Sequence, residues 1–239
     1  MIKRLSRTLG VAFPLCVALV GVGIWNAAFR APPPDRLPLP SGLIAADSST
    51  GKELSGDKAH RADYESLSGN FESQARAGFC GVASSVVVLN ALRRSQPRMT
   101  QSTFFTDAAS NVRSSLQVTF GGMSLEQLAD LLRAHGAEVT TYYASDTGLE
   151  TFRSIAQENL KTTGDFLLVN YQRAILGQKE VGHISPVAAY NAAADRMLIL
   201  DVAAYKYPPV WVSSADLWNA MNTPDSASGR TRGFVVVRD

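Results

Sequence analysis

Cysteine is nearly absent: two occur in 239 residues, Cys16 and Cys80. Cys16 lies in an apolar N-terminal run, with Leu15 rather than a small residue before it, so no lipid-attachment box is present. The rest of the chain therefore has one thiol, which excludes a disulfide framework there. Histidine is almost as scarce, at three. Neither these residues nor the scattered carboxylates fall at the spacing of a structural zinc site. Charge of one sign is also lacking: 23 Lys and Arg stand against 21 Asp and Glu, a formal net charge of +2. With no long basic run, the chain shows no electrostatic footprint for nucleic acid. Proline and glycine are not in excess, and no repeat or heptad is visible, so disorder is not indicated for the bulk of the chain.

What is present begins with an export pattern. Lys3, Arg4 and Arg7 precede an apolar stretch over residues 9–29, interrupted only by small residues, Pro14 and Asn26. A basic start followed by an apolar run is an export signal, and about 20 apolar residues also suffice to span a bilayer. No clean small-x-small cleavage site follows, so a cleaved signal peptide and an uncleaved signal anchor both stand. Either places the domain outside the cytoplasm, in a periplasm-like compartment, soluble or tethered, with membrane contact only through this segment. A buried core helix is the plainer alternative, countered by the basic start and the Pro-rich sequel. In an oxidising compartment a lone Cys80 invites attention. Its ordinary reading is a small buried hydrophobe, and its neighbours must decide.

The chain divides into an export segment (1–30), a Pro-rich and polar linker (31–60) and a folded domain (61–239), long enough to bury one real core. Residues 80–94 are apolar on most sides and read as a core helix. Ser124 and Gln127 form a capping box opening a second helix, striped by Leu125, Leu128, Leu131 and Leu132 and ended by Gly136. A third helix is expected near 149–160. Strands are expected at 166–171, 184–190, 197–202, 210–212 and 234–237. Helices first and strands after, with hairpin-length links, predict an α+β domain with an antiparallel sheet.

Three histidines compete for a role. His60, in the polar entry region, reads as solvated, and His135 sits at a helix C-terminus, where an imidazole needs no functional explanation. His183 opens an apolar strand, with Gly182 beside it leaving room for a ligand. A satisfied strand-end histidine is the usual explanation of such a residue. The pairing changes that. If Tyr190 faces Arg196 in the hairpin, Ser185 faces Asp201, and Asp201 lies diagonal to His183 on one face, within reach of an imidazole–carboxylate contact. Asp201 ends an apolar run and wants a partner if buried. Cys80, at a helix N-terminus, would be the nucleophile, its thiolate favoured by the dipole and by an imidazolium. His183 would carry the proton and Asp201 would orient the ring. Gln74, six residues before Cys80, could join the Cys80 N–H as an oxyanion donor.

The segment Gln74-x5-Cys80-Gly-Val-Ala-Ser resembles the nucleophile region of phytochelatin synthases, a papain-like family. The similarity is denser from Gly182-His183-Ile-Ser-Pro-Val, through Leu200-Asp201-Val-Ala-Ala-Tyr-Lys-Tyr-Pro-Pro-Val-Trp, to Leu217–Asp225 and Thr231–Val236. The resemblance implies a papain-like α+β fold, with a nucleophile helix packed on a C-terminal antiparallel sheet. It also implies a thiol acyltransferase that expels glycine from glutathione and holds γ-glutamylcysteine as a thioester. The acyl group then passes to water or to a second glutathione. Cys80, His183 and Asp201 become the triad and Gln74 the oxyanion donor. Asp225 and Arg232, with Arg173 as a weaker candidate and Gly182 beside them, become substrate-binding residues. A solvated surface charge is the plainer account of each. No tightly bound cofactor is implied: Cd²⁺ or Zn²⁺ would arrive as a glutathione-thiolate complex, a heavy-metal partner beside glutathione itself. A homodimer is left open.

Two features depart from the family. Ala204 stands where Arg is usual, and the Cys-rich C-terminal region of plant members is missing after Asp239. Both point toward hydrolysis over transfer. Two other readings compete. A leader-peptide peptidase shares Gln-x5-Cys, but its Asp is generally followed by Pro rather than Val202. A non-catalytic peptide- or thiol-binding domain would usually lose the Cys or the His.

Overall fold

A computed structural model describes residues 23, 25, 28–56, 58–93 and 97–239. Cys16, most of the apolar N-terminal run and the Arg94 end of the expected core helix lie outside the described residues. Strands β1 (Ile44–Ala45), β2 (Glu138–Tyr143), β3 (Phe166–Gln172), β4 (Gly182–Asn191), β5 (Arg196–Ile199), β6 (Val210–Ser213) and β7 (Gly233–Arg238) form one sheet. Its order is β1-β6-β5-β4-β3-β7-β2, and every pairing is antiparallel. The helices are α1 (Ser49–Leu54), α2 (Tyr64–Gly69), α3 (Cys80–Leu92), α4 (Asp107–Val112), α5 (Ser115–Gly121), α6 (Leu125–Ala134), α7 (Leu149–Lys161) and α8 (Ser214–Met221). The α+β expectation therefore holds.

The period of two along each strand sorts the core into two layers. Leu168, Leu198, Val235 and Val237 face α2, α3 and α6, whereas Leu167, Val169, Ile199 and Val236 face α7 and α8. Helix α3 lies wholly inside, with every residue from Gly81 to Ala91 buried. That explains why it is apolar all round, and each of its buried valines contributes roughly 1.5–3 kcal/mol. Gly81 lets the Met123 side chain pack against the helix, since a Cβ there would push that side chain aside. The Ser124 capping box forms as expected, with Gln127 N donating to Ser124 Oγ and Ser124 N to Gln127 Oε1.

The β4–β5 hairpin departs from the expected register in an instructive way. Asn191 faces Arg196 and Tyr190 faces Met197, one residue off. A bulge between Val187 and Ala189 then restores the expected register, so Val187 faces Ile199. Ala188 and Ala189 consequently both face the α3 layer. Pro186, which has no N–H to give a ladder, sits beside this irregularity. Strand β5 ends at Ile199 rather than running to 202. Leu200 N still donates to Pro186 O, and Val202 N to Ser185 Oγ, holding Asp201 alongside β4.

Other expectations need correction. Residues 31–60 are not a free linker. Asp35 N and Leu37 N donate to Tyr205 O and Lys206 O, and β1 extends the sheet at β6. An extended Pro-spaced backbone can lie along another chain segment as readily as in water. His60 is buried rather than solvated, its ring edge-on to Tyr190 and its carbonyl accepting from Tyr190 N. Strand β2, in which Tyr143 is the one buried residue and the rest are half-buried or exposed, and the short helices α4, α5 and α8 carried too little periodicity to be placed in advance.

Candidate active site

Cys80 is the first residue of α3, at the end whose N–H groups lack intrahelical acceptors. Helix α3 crosses β4, where Ser84 Oγ donates to Ile184 O at 3.0 Å. This contact sets the thiol against the start of β4, and the backbone N–H groups of Ile184 and Gly81 favour its anionic form. Burial acts more strongly and pushes the thiol above its ordinary value.

His183, the second residue of β4, is 4% exposed. Its Nε2 lies 3.0 Å from Asp201 Oδ1. A proton on Nε2 directed at the carboxylate leaves Nδ1 as the basic nitrogen of the ring. Burial, then the Arg173 cation, hold the imidazole down to about 4, against the pull of Asp201. Asp201 is fully buried. Burial alone would raise its pKa, but His183 and Arg173 hold it well below the usual carboxylate range. Burial thus opposes the expected thiolate–imidazolium pair at both members and favours neutral thiol and neutral imidazole.

Arg173 belongs to this cluster and not to the substrate pocket. It is 1% exposed, and its Nη2 donates to both Asp201 oxygens at 2.7 Å. Its Nη1 donates to Gln178 Oε1, and its guanidinium lies over the Tyr207 ring. Three of its five N–H groups are thus committed inside the protein, and Arg173 does not line the cavity that holds Cys80. Tyr171, opposite His183 across the β3–β4 ladder, meets the imidazole edge-on at 5.6 Å.

Gln74 is engaged by its own loop. Its Nε2 donates to Ala77 O at 2.8 Å and Arg76 O at 3.0 Å, with Tyr205 Oη at 3.4 Å. Both amide hydrogens serve the loop that presents Cys80. Gln101 braces the same loop, accepting from Ala75 N and donating to Ser73 O.

Cys80 and His183 share one cavity of about 280 Å³ with Asn170, Gly182, Asp225 and Arg232, and Thr119–Met123 form its opposite wall. At its far end Arg232 Nη1 donates to Thr223 Oγ1 and Pro224 O and Asp225 Oδ1 accepts from Ala227 N, while the rest of the pair is loosely joined. Arg232 Nη2 is 3.9 Å from Asp225 Oδ1, and Asn170 Nδ2 is 3.4 Å from Asp225 Oδ2. Arg232 Nε is buried with no hydrogen-bond partner among the described residues. Gly182 makes room here: a Cβ would approach Arg232 Nη2 to 3.1 Å. Sequence reading missed Asn170, although a lone amide inside the buried strand β3 was a legible signal. It also missed the Thr119–Met123 wall, which no local pattern marks. Among the described residues, no group of three or more His, Cys, Asp or Glu side chains is placed to hold a metal ion.

Comparison with known proteins gives these residues a lineage. The phytochelatin synthase family matches residues 35–234. Glutathione gamma-glutamylcysteinyltransferase 1 of Lotus japonicus is 34% identical over 207 residues, covering 84% of this chain and 41% of the relative. The Triticum aestivum protein of the same name is 35% identical over 207 residues, with 84% and 41% covered. The Schizosaccharomyces pombe glutathione gamma-glutamylcysteinyltransferase is 28% identical over 208 residues, with 83% and 50% covered. The chain thus spans two fifths to half the length of these relatives. With the family match running from the strap at Asp35 to Phe234 in β7 and enclosing the whole cavity, the chain belongs to the phytochelatin synthase family.

Proposed function

We propose that this chain is a papain-like cysteine acyltransferase that opens the Cys–Gly bond of glutathione and releases glycine. The observation that carries this reading is the single cavity joining Cys80 and His183 to the loosely joined Asp225–Arg232 pair. A γ-glutamyl group ends in a carboxylate and an ammonium, and needs one charge of each sign at a fixed distance from the reacting carbonyl. Arg232 suits the carboxylate, since a guanidinium can offer it two N–H groups. Asp225 and Asn170 suit the ammonium.

In this mechanism Sγ of Cys80 attacks the cysteinyl carbonyl carbon as its proton passes to His183 Nδ1. The tetrahedral oxyanion is received by N–H groups at the start of α3. Gln74 adds a donor if one of its N–H groups leaves the Arg76 or Ala77 carbonyl when substrate enters. The C–N bond then breaks, and His183 gives its proton to the departing glycine amine. Water or the amine of a second glutathione attacks the thioester, loses its proton through His183, and frees the Cys80 thiol. Asp201 keeps Nε2–H engaged throughout, and Arg173 keeps Asp201 ionised. Metal enters only as a thiolate complex of the substrate. The loss of a cation at Ala204 favours water over glutathione as acceptor.

The test is incubation with glutathione, with and without Cd²⁺, following glycine release and product mass. Glycine release that disappears in Cys80→Ser supports the reading. Cleavage of longer peptides with no glycine from glutathione in any condition overturns it.

A further inference from the structure

One wall of the cavity is also the most apolar exposed surface of the described residues. On α5, Leu116 and Phe120 are 57% and 61% exposed. Four residues apart, they occupy one helix face. Val112, at the end of α4, is exposed as well. The end of the N-terminal apolar run meets this face. Trp25, 59% exposed, stacks on Phe29 at 4.5 Å, and Phe29 meets Phe120 edge-on at 5.9 Å. Arg76 fixes the junction: its guanidinium lies over the Phe29 and Phe79 rings, while its Nη1 donates to Ser115 and Thr119 hydroxyls on α5. Isolated exposed apolar residues are ordinary, but an aromatic row continuous with an apolar run of about 20 residues is not.

We propose that the face formed by Trp25, Phe29, Leu116 and Phe120 lies on the bilayer surface, so that the active-site cavity opens at the membrane–water boundary. This rests on reading residues 1–30 as an uncleaved anchor. The occupant follows from where that run ends. Its last residue, Phe29, packs directly on α5, so a membrane entered there begins at this face and at no other side of the domain. Trp25, near Arg30, suits an interface, where the amphipathic indole and cations favour the headgroup level. Phe120 is shared between the face and the cavity wall. Substrate therefore enters beside the headgroups, and anionic lipid opposes an anionic substrate at the mouth.

The test uses the full-length chain in vesicles of phosphatidylcholine and phosphatidylglycerol carrying headgroup-level spin-labelled lipid. Leu116→Trp is compared with Glu158→Trp, an exposed position on α7, across the sheet. After subtraction of the wild-type signal from Trp25, Trp211 and Trp218, the added indole of Leu116→Trp should be quenched about twofold or more strongly than that of Glu158→Trp, as expected for an indole at the interface. Vesicle-bound protein with equal quenching at both positions overturns the docking while leaving the anchor intact. Protein that fails to float with vesicles removes the anchor reading itself. Vesicle-bound protein whose Leu116→Trp emission is blue-shifted yet unquenched by the spin label overturns the proposal in favour of a second copy on this face.

Discussion

The two ends of the cavity are built on opposite principles. At the catalytic end the protein completes its own electrostatics: Asp201 accepts from Arg173 at 2.7 Å through both oxygens and contacts His183 at 3.0 Å. At the far end, Asp225 and Arg232 stand 3.9 Å apart and Arg232 Nε is buried without a partner among the described residues. A carboxylate closed by its cation through both oxygens holds a geometry, whereas a loosely joined pair has capacity left for a ligand. In the proposed mechanism the difference separates groups that orient the reaction from groups that select its substrate, although all are buried ionisable residues.

The largest effect that tests this contrast is loss of the nucleophile. Cys80→Ala should lower glycine release by about 10⁴–10⁶-fold, as for other groups acting as a catalytic unit, while denaturant midpoints stay close to wild type. Next is the closed cluster. Arg173→Gln leaves Asp201 without its cation and should cost about 3–5 kcal/mol of stability, read from urea unfolding. In the folded fraction, loss of the cation should raise the His183 pKa and move the acid limb of kcat/KM to higher pH. A limb unmoved in a folded variant would show that Arg173 does not act on His183.

The same residues make stability depend on pH in wild type. His183 titrates near 4 in the fold against 6.5 ordinarily. Between those values the unfolded chain binds the extra proton, so stability falls as pH drops from 6.5 toward 4. Urea midpoints across that window provide the check, and His183→Gln should flatten the slope. At the loosely joined end the effects should be smaller and fall on KM. Arg232→Lys should raise KM for glutathione about tenfold, or about 1.4 kcal/mol, with little change in kcat. Gly182→Ala is the mildest: its Cβ displaces Arg232 by a few tenths of an ångström and should raise KM about two- to threefold. If Arg232→Lys instead lowers kcat alone, the division between the two ends fails.

Much of this was legible in the chain. A lone Cys80 at a helix start, His183 opening a strand beside Gly182, and Asp201 ending an apolar hairpin were visible as residue types in position. So was the α+β class, because helical and strand periodicities separate along the sequence. The hairpin shows the limit. Its alternation suggested the relation of His183 to Asp201, but the turn is tighter by one residue and only the bulge at Val187–Ala189 restores the relation. A bulge is decided by packing on both faces of the sheet, which no local pattern records.

Local sequence therefore determined which residues could do chemistry and which faces are apolar, because periodicity and residue type are properties of the chain itself. Tertiary structure alone decided how the charges are used. Arg173, Arg232 and Gln74 look alike in sequence, as polar side chains near a motif. One is consumed by Asp201, one is left partly unpaired in the cavity, and one braces its own loop. Each outcome depends on which distant backbone segment arrives beside it, because electrostatic and hydrogen-bond energies follow distance in space and not separation along the chain.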